Sequence, residues 1–382
     1  MKKLRIAQIS PLIESVPPKK YGGTERVVYY LTEGLVERGH EVTLFASGDS
    51  VTSARLIAPV TQSLRLGRKI HSTIIMHMLM LSKVYEEMAG EFDIIHSHLE
   101  YLTLPYATRF QTPTVLTMHG RLDVPDYVEM LRRYRSMAWV SISDSQRLPA
   151  PEINWAGTVY HGYPESLFTF NPDPKEYFLY LGRFSEEKRP DEAIRLARAC
   201  KIHLKLAAKI DPADKAYFKT KVEPLLDSPY IEYIGEVDDS RKGELLRNAR
   251  ALLNPIDWPE PFGLVMIEAL ACGTPVIVRR CGSSPEVITH GLTGFVCDSQ
   301  LDFIHAIHNI DTISRAACRR EFERRFTLGH MVEKYEALYR NVIAAAPARP
   351  PTSLSQRSFQ LRRHRSNRRQ SFRKLLHGYH LP

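Results

Sequence analysis

The sequence lacks the features of a membrane-spanning, secreted or disulfide-linked protein. None of its apolar runs approaches the roughly 20 residues that cross a bilayer. The apolar segment after Met1-Lys2-Lys3 is too short for a signal peptide. Its five cysteines are an odd number with no C-x-x-C pair and no zinc spacing, which favours free thiols in a reducing compartment. We therefore expect a cytoplasmic protein.

An excess of charge is also missing from most of the chain. The formal net charge is +9, but residues 349–382 contain nine basic residues and no acidic one. Residues 1–348 hold 43 basic and 43 acidic residues, so charge does not indicate the ligand of the body. We expect residues 347–382 to form a disordered basic tail. The tail is either a solvated appendage or a peripheral contact with the anionic inner face of a membrane, and its binding to nucleic acid would be unspecific.

What the sequence does contain is an alternation of short apolar runs with helical patterns. The runs predict strands at 3–9, 41–46, 93–96, 114–118 and 138–142, and then at 177–181, 203–207, 231–234, 251–254 and 275–278. Helices are predicted at 24–38, 190–200, 241–248, 262–271 and 331–345. Such a series implies parallel sheets covered by helices on both faces. The predicted fold class is therefore α/β with two doubly wound domains.

The alternation of strands and helices begins a second time at residue 177, which divides the chain into two domains. We predict an N-terminal domain over residues 1–165, a C-terminal domain over 166–330, and a helix over 331–346 that packs back on the body. A proline-rich stretch at 164–174 is interpreted as the linker. Ligands of open parallel sheets bind beyond the carboxyl ends of the strands, so the loops at those ends are the candidate sites.

Two of these loops lie in the N-terminal half. Gly22 and Gly23 precede the first predicted helix, where a bare backbone and a helix N-terminus suit a phosphate. The dinucleotide fingerprint G-x-G-x-x-G is absent, and a plain tight turn explains the two glycines nearly as well. His119 follows a predicted strand and could bind a substrate hydroxyl or phosphate, although its position alone favours an ordinary loop histidine.

Two more loops lie in the C-terminal half. Arg183 and Lys188 stand before a predicted helix, an arrangement suited to a diphosphate or to a solvated charged loop. Glu260 and Glu268 flank seven residues of a Pro-Phe-Gly turn and an apolar helix, in which the carboxylate of Glu268 needs a partner. A spacing of ~12 Å would exceed the ~5–9.5 Å of a glycosidase pair, which favours two separate roles in binding sugar or ribose hydroxyls.

Taken in order, these segments resemble glycosyltransferase family 4, retaining enzymes of the GT-B fold. The resemblance covers residues 4–345 and is carried by YGGTERVVYYLTEGLVERGHEVTLFAS, LTMHG, LGRFSEEKRPDEAI and the Glu-seven-Glu motif that continues through ACGTPVIV. It implies two Rossmann-like domains facing across a cleft. The acceptor would lie mainly on the side of residues 1–165 and the nucleotide-sugar donor on the side of residues 166–330.

The resemblance also implies a donor site. Arg183 and Lys188 would bind the diphosphate, Glu268 would bind the ribose hydroxyls, and Gly22 and Gly23 would approach the diphosphate from the other domain. The nucleobase would be read by backbone groups near residues 236–237.

For the reaction centre the resemblance implies two catalytic residues, His119 and Glu260. Glu260 would hold the transferred sugar together with the backbone amides of Phe262, Gly263 and Leu264, and His119 would line the centre. The sequence departs from the family pattern at 254–259, at 282–284 and at 160–162, where it reads Tyr-His-Gly and Asn-Gly is common. The resemblance therefore does not identify the transferred sugar.

The implied reaction is hexosyl transfer, with retention, to a hydroxyl of a saccharide or lipid-linked acceptor, as in polysaccharide biosynthesis. A UDP-sugar is favoured as donor and GDP-mannose comes next. The front-face mechanism needs neither a metal nor a cofactor. Two alternatives stay open, a nucleotide-sugar epimerase of the same fold and a non-catalytic sugar-nucleotide-binding scaffold.

Overall fold

Two parallel sheets form the scaffold of the protein in a computed structural model that describes residues 2–19, 22–66 and 72–346. The first contains β1 (Arg5–Ile9), β2 (Glu41–Phe45), β3 (Arg55–Ile57), β4 (Ile94–Ser97), β5 (Thr114–Thr117), β6 (Ala138–Ser141) and β7 (Trp155–Thr158). Its strand order is β3-β2-β1-β4-β5-β6-β7. The second contains β8 (Phe178–Arg183), β9 (Leu204–Lys209), β10 (Ile231–Gly235), β11 (Ala251–Asn254), β12 (Val276–Arg279) and β13 (Gly294–Cys297), in the order β10-β9-β8-β11-β12-β13.

Helices connect the strands in both halves, which confirms the predicted α/β class. They are α1 (Gly23–Glu37), α2 (Thr73–Ser82), α3 (Leu104–Ala107), α4 (Pro125–Arg133), α5 (Pro190–Cys200), α6 (Lys215–Tyr217), α7 (Asp239–Asn248), α8 (Leu264–Ala271), α9 (Ser284–Val287), α10 (Gln300–Asn309), α11 (Arg315–Arg325) and α12 (Leu328–Ala345). None of the helices in the described part of the chain is long and apolar enough to cross a bilayer. The tail predicted to be disordered, 347–382, lies outside the described residues.

Helix α1 shows how the sequence pattern places an element. Val27, Val28, Leu31 and Leu35 are buried, so the helix packs through its apolar face. Gly39 follows the helix with φ of 84°, a left-handed conformation that glycine adopts without strain. The helix therefore ends where the sequence predicted and directs the chain into β2.

The last helix, α12, returns to the N-terminal half. Its Tyr335 and Tyr339 are fully buried, and the Tyr339 hydroxyl accepts a hydrogen bond of 3.1 Å from Gln8 Nε2 on β1. Gly34 of α1 leaves room for Val332, because a Cβ there would lie 2.6 Å from the valine Cγ2. The helix thus packs back on the body. The domain boundaries at 165 and 330 stay predictions.

The proline-rich stretch interpreted as a linker is held against the C-terminal half. Arg319 on α11 donates hydrogen bonds to the carbonyl oxygens of Phe168 (3.0 Å) and Glu165 (3.1 Å). Arg315 donates to the carbonyl oxygen of Asn171 at 2.7 Å. These bonds tie residues 165–171 to one helix, so the segment is anchored and does not act as a free connection.

Gly294 gives a first test of the fold. Its φ is 156°, and a Cβ there would lie 1.9 Å from the carbonyl oxygen of Val276 on the neighbouring strand β12. Because backbone cannot yield as a flexible side chain does, Gly294→Ala is expected to lower the free energy of unfolding by at least about 3 kcal/mol. Urea denaturation measures this. Gly90→Ala, with nothing within 4 Å, is the matched control, and an equal effect of both variants would contradict the packing described.

Candidate active site

The carboxyl ends of both sheets face one cavity of about 520 Å³. Segments that follow β1, β5, β6 and β7 contribute from the first sheet. From the second sheet come the ends of β8 and β9 and the segments that follow β8, β10 and β11. All ten residues singled out from the sequence line this cavity: Gly22, Gly23, His119, Arg183, Lys188, Glu260, Phe262, Gly263, Leu264 and Glu268. Residues separated by up to 246 positions therefore form one site.

Lys188 and Glu260 form an ion pair inside the cavity. Trp258 Nε1 donates a second hydrogen bond, of 2.8 Å, to the same carboxylate oxygen of Glu260. The Lys188 ammonium lies 5.1 Å from the centroid of the Trp258 ring, a cation–π distance. The three side chains hold one another, so the carboxylate has a fixed position and a positive charge beside it.

Arg183, at the end of β8, is surrounded by carboxylates. Its guanidinium lies 2.6 Å from Glu187 and 3.3 Å from Asp214, with Asp211 at 3.9 Å. The side chain is one-third exposed and lines the cavity. Its charge is thus partly neutralised by protein groups, whereas Lys188 has one carboxylate partner among the described residues.

Glu268, on α8, has the partners that its burial requires. Its Oε1 accepts hydrogen bonds from the Tyr163 hydroxyl at 2.8 Å and from Lys242 Nζ at 2.7 Å. Burial and the neighbouring Glu268 raise the pKa of Tyr163 well above its ordinary value, so that hydroxyl keeps its proton and donates it. No hydrogen bond to its second carboxylate oxygen is found within the described residues.

The turn before α8 differs from the prediction. The helix begins at Leu264, two residues later than expected, because Gly263 is left-handed with φ of 78° and serves as the N-cap. A Cβ on Gly263 would lie 2.5 Å from Met266 Cε and 3.3 Å from Glu260 Cγ. The glycine therefore allows Glu260 and the amino end of α8 to lie against the same cavity.

His119 is not an ordinary loop histidine. Its Nε2 lies 2.8 Å from His98 Nδ1, and its ring stacks on that of His161 with centroids 5.4 Å apart and an angle of 15°. Burial lowers the pKa of His119 to about 4 and holds the pKa of His98 and His161 well below the ordinary range. All three rings are therefore neutral near pH 7.

Comparison with known proteins identifies the chain. The family model described as glycosyl transferases group 1 matches residues 167–323, and the one described as glycosyltransferase family 4 matches residues 21–149. The chain belongs to glycosyltransferase family 4. The phosphatidyl-myo-inositol mannosyltransferase of Mycolicibacterium smegmatis is 26% identical over 328 residues, which cover 76% of this chain and 80% of that protein.

Solved structures confirm the GT-B architecture of this glycosyltransferase. A glycosyltransferase involved in avilamycin A biosynthesis superposes with a TM-score of 0.72 at 22% identity, over 90% of this chain and 99% of the other. Anabaena HepE in complex with UDP-glucose superposes with a TM-score of 0.69 at 16% identity, over 88% of this chain and all of the other.

The cavity of the glycosyltransferase contains charged residues that sequence reasoning missed. Arg26 on α1 forms an ion pair with Asp239 on α7, and Lys242 lies 3.2 Å from the same aspartate. Through Lys242 this network reaches Glu268 and so joins the two halves at the cavity wall. The sequence around Arg26 does not indicate this ion pair, because its two partners are 213 positions apart in the chain.

No cluster of three or more histidine, cysteine, aspartate or glutamate side chains is placed to hold a metal ion within residues 2–19, 22–66 and 72–346. His96 and His98, at the end of β4, are buried and hydrogen-bonded to side chains. His96 Nε2 lies 2.7 Å from Thr117 Oγ1, and His98 Nε2 lies 3.0 Å from Gln8 Oε1.

Proposed function

We propose that this glycosyltransferase moves a hexosyl group from a nucleotide-diphosphate sugar to a hydroxyl of a saccharide or lipid-linked acceptor, with retention of configuration. The observation that carries the proposal is the ion pair of Lys188 and Glu260 in the same cavity as Glu268 and the amino end of α8. That set offers a cation for a phosphate and carboxylates for hydroxyl groups.

The donor fits the polarity of the cavity. Lys188 would exchange its bond to Glu260 for one to the diphosphate, which leaves the Glu260 carboxylate to accept from a hydroxyl of the sugar. Glu268 would accept from the ribose through the oxygen that its protein partners do not use. A volume of about 520 Å³ lies within the ~300–1,000 Å³ of small-molecule sites.

The nucleobase is proposed from the comparisons. HepE holds UDP-glucose, and its fold covers 88% of this chain, which supports a UDP-sugar. The name of the mannosyltransferase relative supports a mannosyl donor, and GDP-mannose is therefore the second candidate. Glu236 and Val237 line the cavity, in keeping with base recognition by the backbone there.

The proposed step is a front-face exchange. The bond between C1 of the sugar and the phosphate oxygen breaks, the acceptor oxygen bonds to C1 on the same face, and its proton passes to the departing phosphate. Lys188 and Arg183, with the amino ends of α1 and α8, stabilise the negative charge that develops on that phosphate. Because these groups belong to the chain, we propose that neither a metal nor a cofactor is required.

A screen with Glu268→Gln tests the proposal. Purified protein is mixed with UDP-glucose, GDP-mannose or ADP-glucose in EDTA, and thermal stability, transfer to saccharides and hydrolysis are followed. One nucleotide sugar should stabilise the protein. Glu268→Gln should weaken its binding roughly 10- to 100-fold, since a charged hydrogen-bond acceptor is lost. Glu37→Gln, at an exposed position of α1, is the control.

The same screen separates the alternatives. Binding without turnover would favour the scaffold, and conversion of the sugar without an acceptor would favour the epimerase. A uniform lack of response to all three nucleotide sugars would refute the donor site. Activity that EDTA abolishes and Mg²⁺ or Mn²⁺ restores would contradict metal independence alone.

A further inference from the structure

Four histidines run from the core of the N-terminal half to the cavity. Neighbouring ring centroids are 4.0 Å apart between His96 and His98, 5.1 Å between His98 and His119, and 5.4 Å between His119 and His161. His96 and His98 are buried, and His119 and His161 line the cavity. Of the four, His119 alone was predicted from the sequence to be a site residue. The proposed function assigns no role to this ring and leaves open which of its nitrogens carries a proton.

The hydrogen bonds behind His119 specify that nitrogen. Gln8 Nε2 donates to the Tyr339 hydroxyl at 3.1 Å, so its carbonyl oxygen Oε1 is the atom that faces His98 Nε2 at 3.0 Å. A carbonyl oxygen only accepts hydrogen bonds, and His98 Nε2 must therefore carry the proton. In a neutral imidazole the other nitrogen, Nδ1, is then an acceptor.

The same argument assigns the proton on the His119 ring. Its Nε2 lies 2.8 Å from His98 Nδ1 and must donate the proton that His98 accepts. Since the His119 ring is neutral, its own Nδ1 holds a lone pair. Within the described part of the chain this Nδ1 has no hydrogen-bond partner, and the residue lines the cavity.

A second ring points to a ligand at the same place. His161 is 3% exposed, lines the cavity and stacks on His119, and its Nδ1 has no hydrogen-bond partner among the described residues. A buried polar atom without a partner costs about 1–3 kcal/mol. The unpartnered His161 Nδ1 beside the lone pair of His119 Nδ1 favours a ligand that carries hydroxyl groups.

We propose that Gln8 and His98 are positioning residues that hold His119 in its Nε2–H tautomer, so that His119 Nδ1 accepts a hydrogen bond from a hydroxyl group of the bound sugar. This inference rests on the proposed function. It gives His119 a defined role, in which the ring binds a hydroxyl group and does not donate a proton to the leaving phosphate. Tyr339, on α12, takes part because it engages the amide of Gln8.

The tautomer is measured by ¹⁵N NMR of the full chain labelled at histidine, with the His119 signals identified by their loss in His119→Gln. We expect a protonated Nε2 and an unprotonated Nδ1. A proton on Nδ1 would overturn the inference, and the tautomer itself is read from the native chain, since the variant serves only to assign the signals.

Two substitutions of Gln8 test the positioning role. Gln8→Met removes the acceptor for His98, and we expect a mixture of His119 tautomers and a roughly tenfold lower kcat/KM. Gln8→Glu keeps an acceptor toward His98 and should retain both the tautomer and more activity than Gln8→Met. Equal losses in the two variants with an unchanged tautomer would show a merely structural role for Gln8 and overturn the proposal.

The hydroxyl group is located with monodeoxy analogues of the accepted donor. His119→Gln should weaken binding of every analogue except the one that lacks the partner hydroxyl. An equal effect on all analogues would contradict the assigned bond. The inference and the proposed function fail separately: the expected tautomer in a protein without transferase activity refutes only the function, whereas transfer with a proton on Nδ1 refutes only the inference.

Discussion

Lys188→Ala is expected to lower kcat/KM for sugar transfer by about 10³-fold, the loss that follows removal of one fixed group facing developing charge. Lys188 is the cation that the structure places beside Glu260, and Arg183 cannot fully replace it because its guanidinium already contacts Glu187 and Asp214. Transfer kinetics with the accepted nucleotide sugar measure the loss.

Lys188→Ala also leaves the Glu260 carboxylate without its ion-pair partner, and this effect on stability must be separated from the effect on catalysis. Glu260 is 14% exposed in its side chain and keeps the hydrogen bond from Trp258, so we expect a stability loss of only about 1–2 kcal/mol. The double variant Lys188→Ala/Glu260→Gln removes the unpaired charge. It should regain stability without regaining activity.

The matched control is Lys83→Ala, which removes a lysine from an exposed ion pair with Glu87 and should change neither quantity. An active Lys188→Ala variant would refute the role of this lysine in leaving-group stabilisation. A variant that recovers activity in the double substitution would show instead that the unpaired Glu260 carboxylate caused the loss.

Regular elements were predictable where burial follows a helical or strand period within one segment. Helix α5 occupies the predicted residues 190–200, since a proline at its first position and buried apolar residues along one face mark its course. Strands β3, β7 and β13 were not predicted. They have three or four residues each, two of them contain glycine, and each pairs with a neighbour through tertiary contacts that no short segment encodes.

The candidate site was predictable for a different reason. Arg183 ends strand β8, and the other three predicted residues, Lys188, Glu260 and Glu268, lie in segments that follow strands. Each motif is therefore local in sequence and carries its own chemistry. The ion pair of Arg26 with Asp239 is not local. Such pairings follow from the way the two sheets face each other, and a single sequence does not contain that geometry.

The hydrogen bonds of the buried histidines could not be predicted from the sequence either. His96 lies on β4 and His98 directly follows that strand, a position typical of the polar end of a strand. Their partners, among them Gln8, Thr117 and Tyr339, come from two other strands and the last helix. Only the assembled sheet shows that this polar end is buried and that its bonds lead to the cavity.

These histidines predict a pronounced acid sensitivity. Burial lowers the pKa of His96, His98 and His161 well below the ordinary value, and that of His119 from 6.5 to about 4. At a pH between the ordinary histidine pKa and these lowered pKa values, the unfolded chain binds protons that the folded chain does not. Each histidine therefore removes up to about 1.4 kcal/mol of stability per pH unit as the pH falls from about 6.5. Glu25 opposes the trend, because burial raises its pKa and favours its protonated form in the fold.

Urea unfolding at pH values from about 7.5 to 4.5 measures this slope. His96→Gln can keep hydrogen bonds to Thr117 and Tyr339 while it removes one titrating ring, so its stability should fall less steeply, by about 1.4 kcal/mol per pH unit. His308→Gln, at an exposed position of α10, should leave the slope unchanged. If His96→Gln and the native chain lose stability in parallel, His96 does not stay neutral in the fold, and the acid sensitivity must come from other groups.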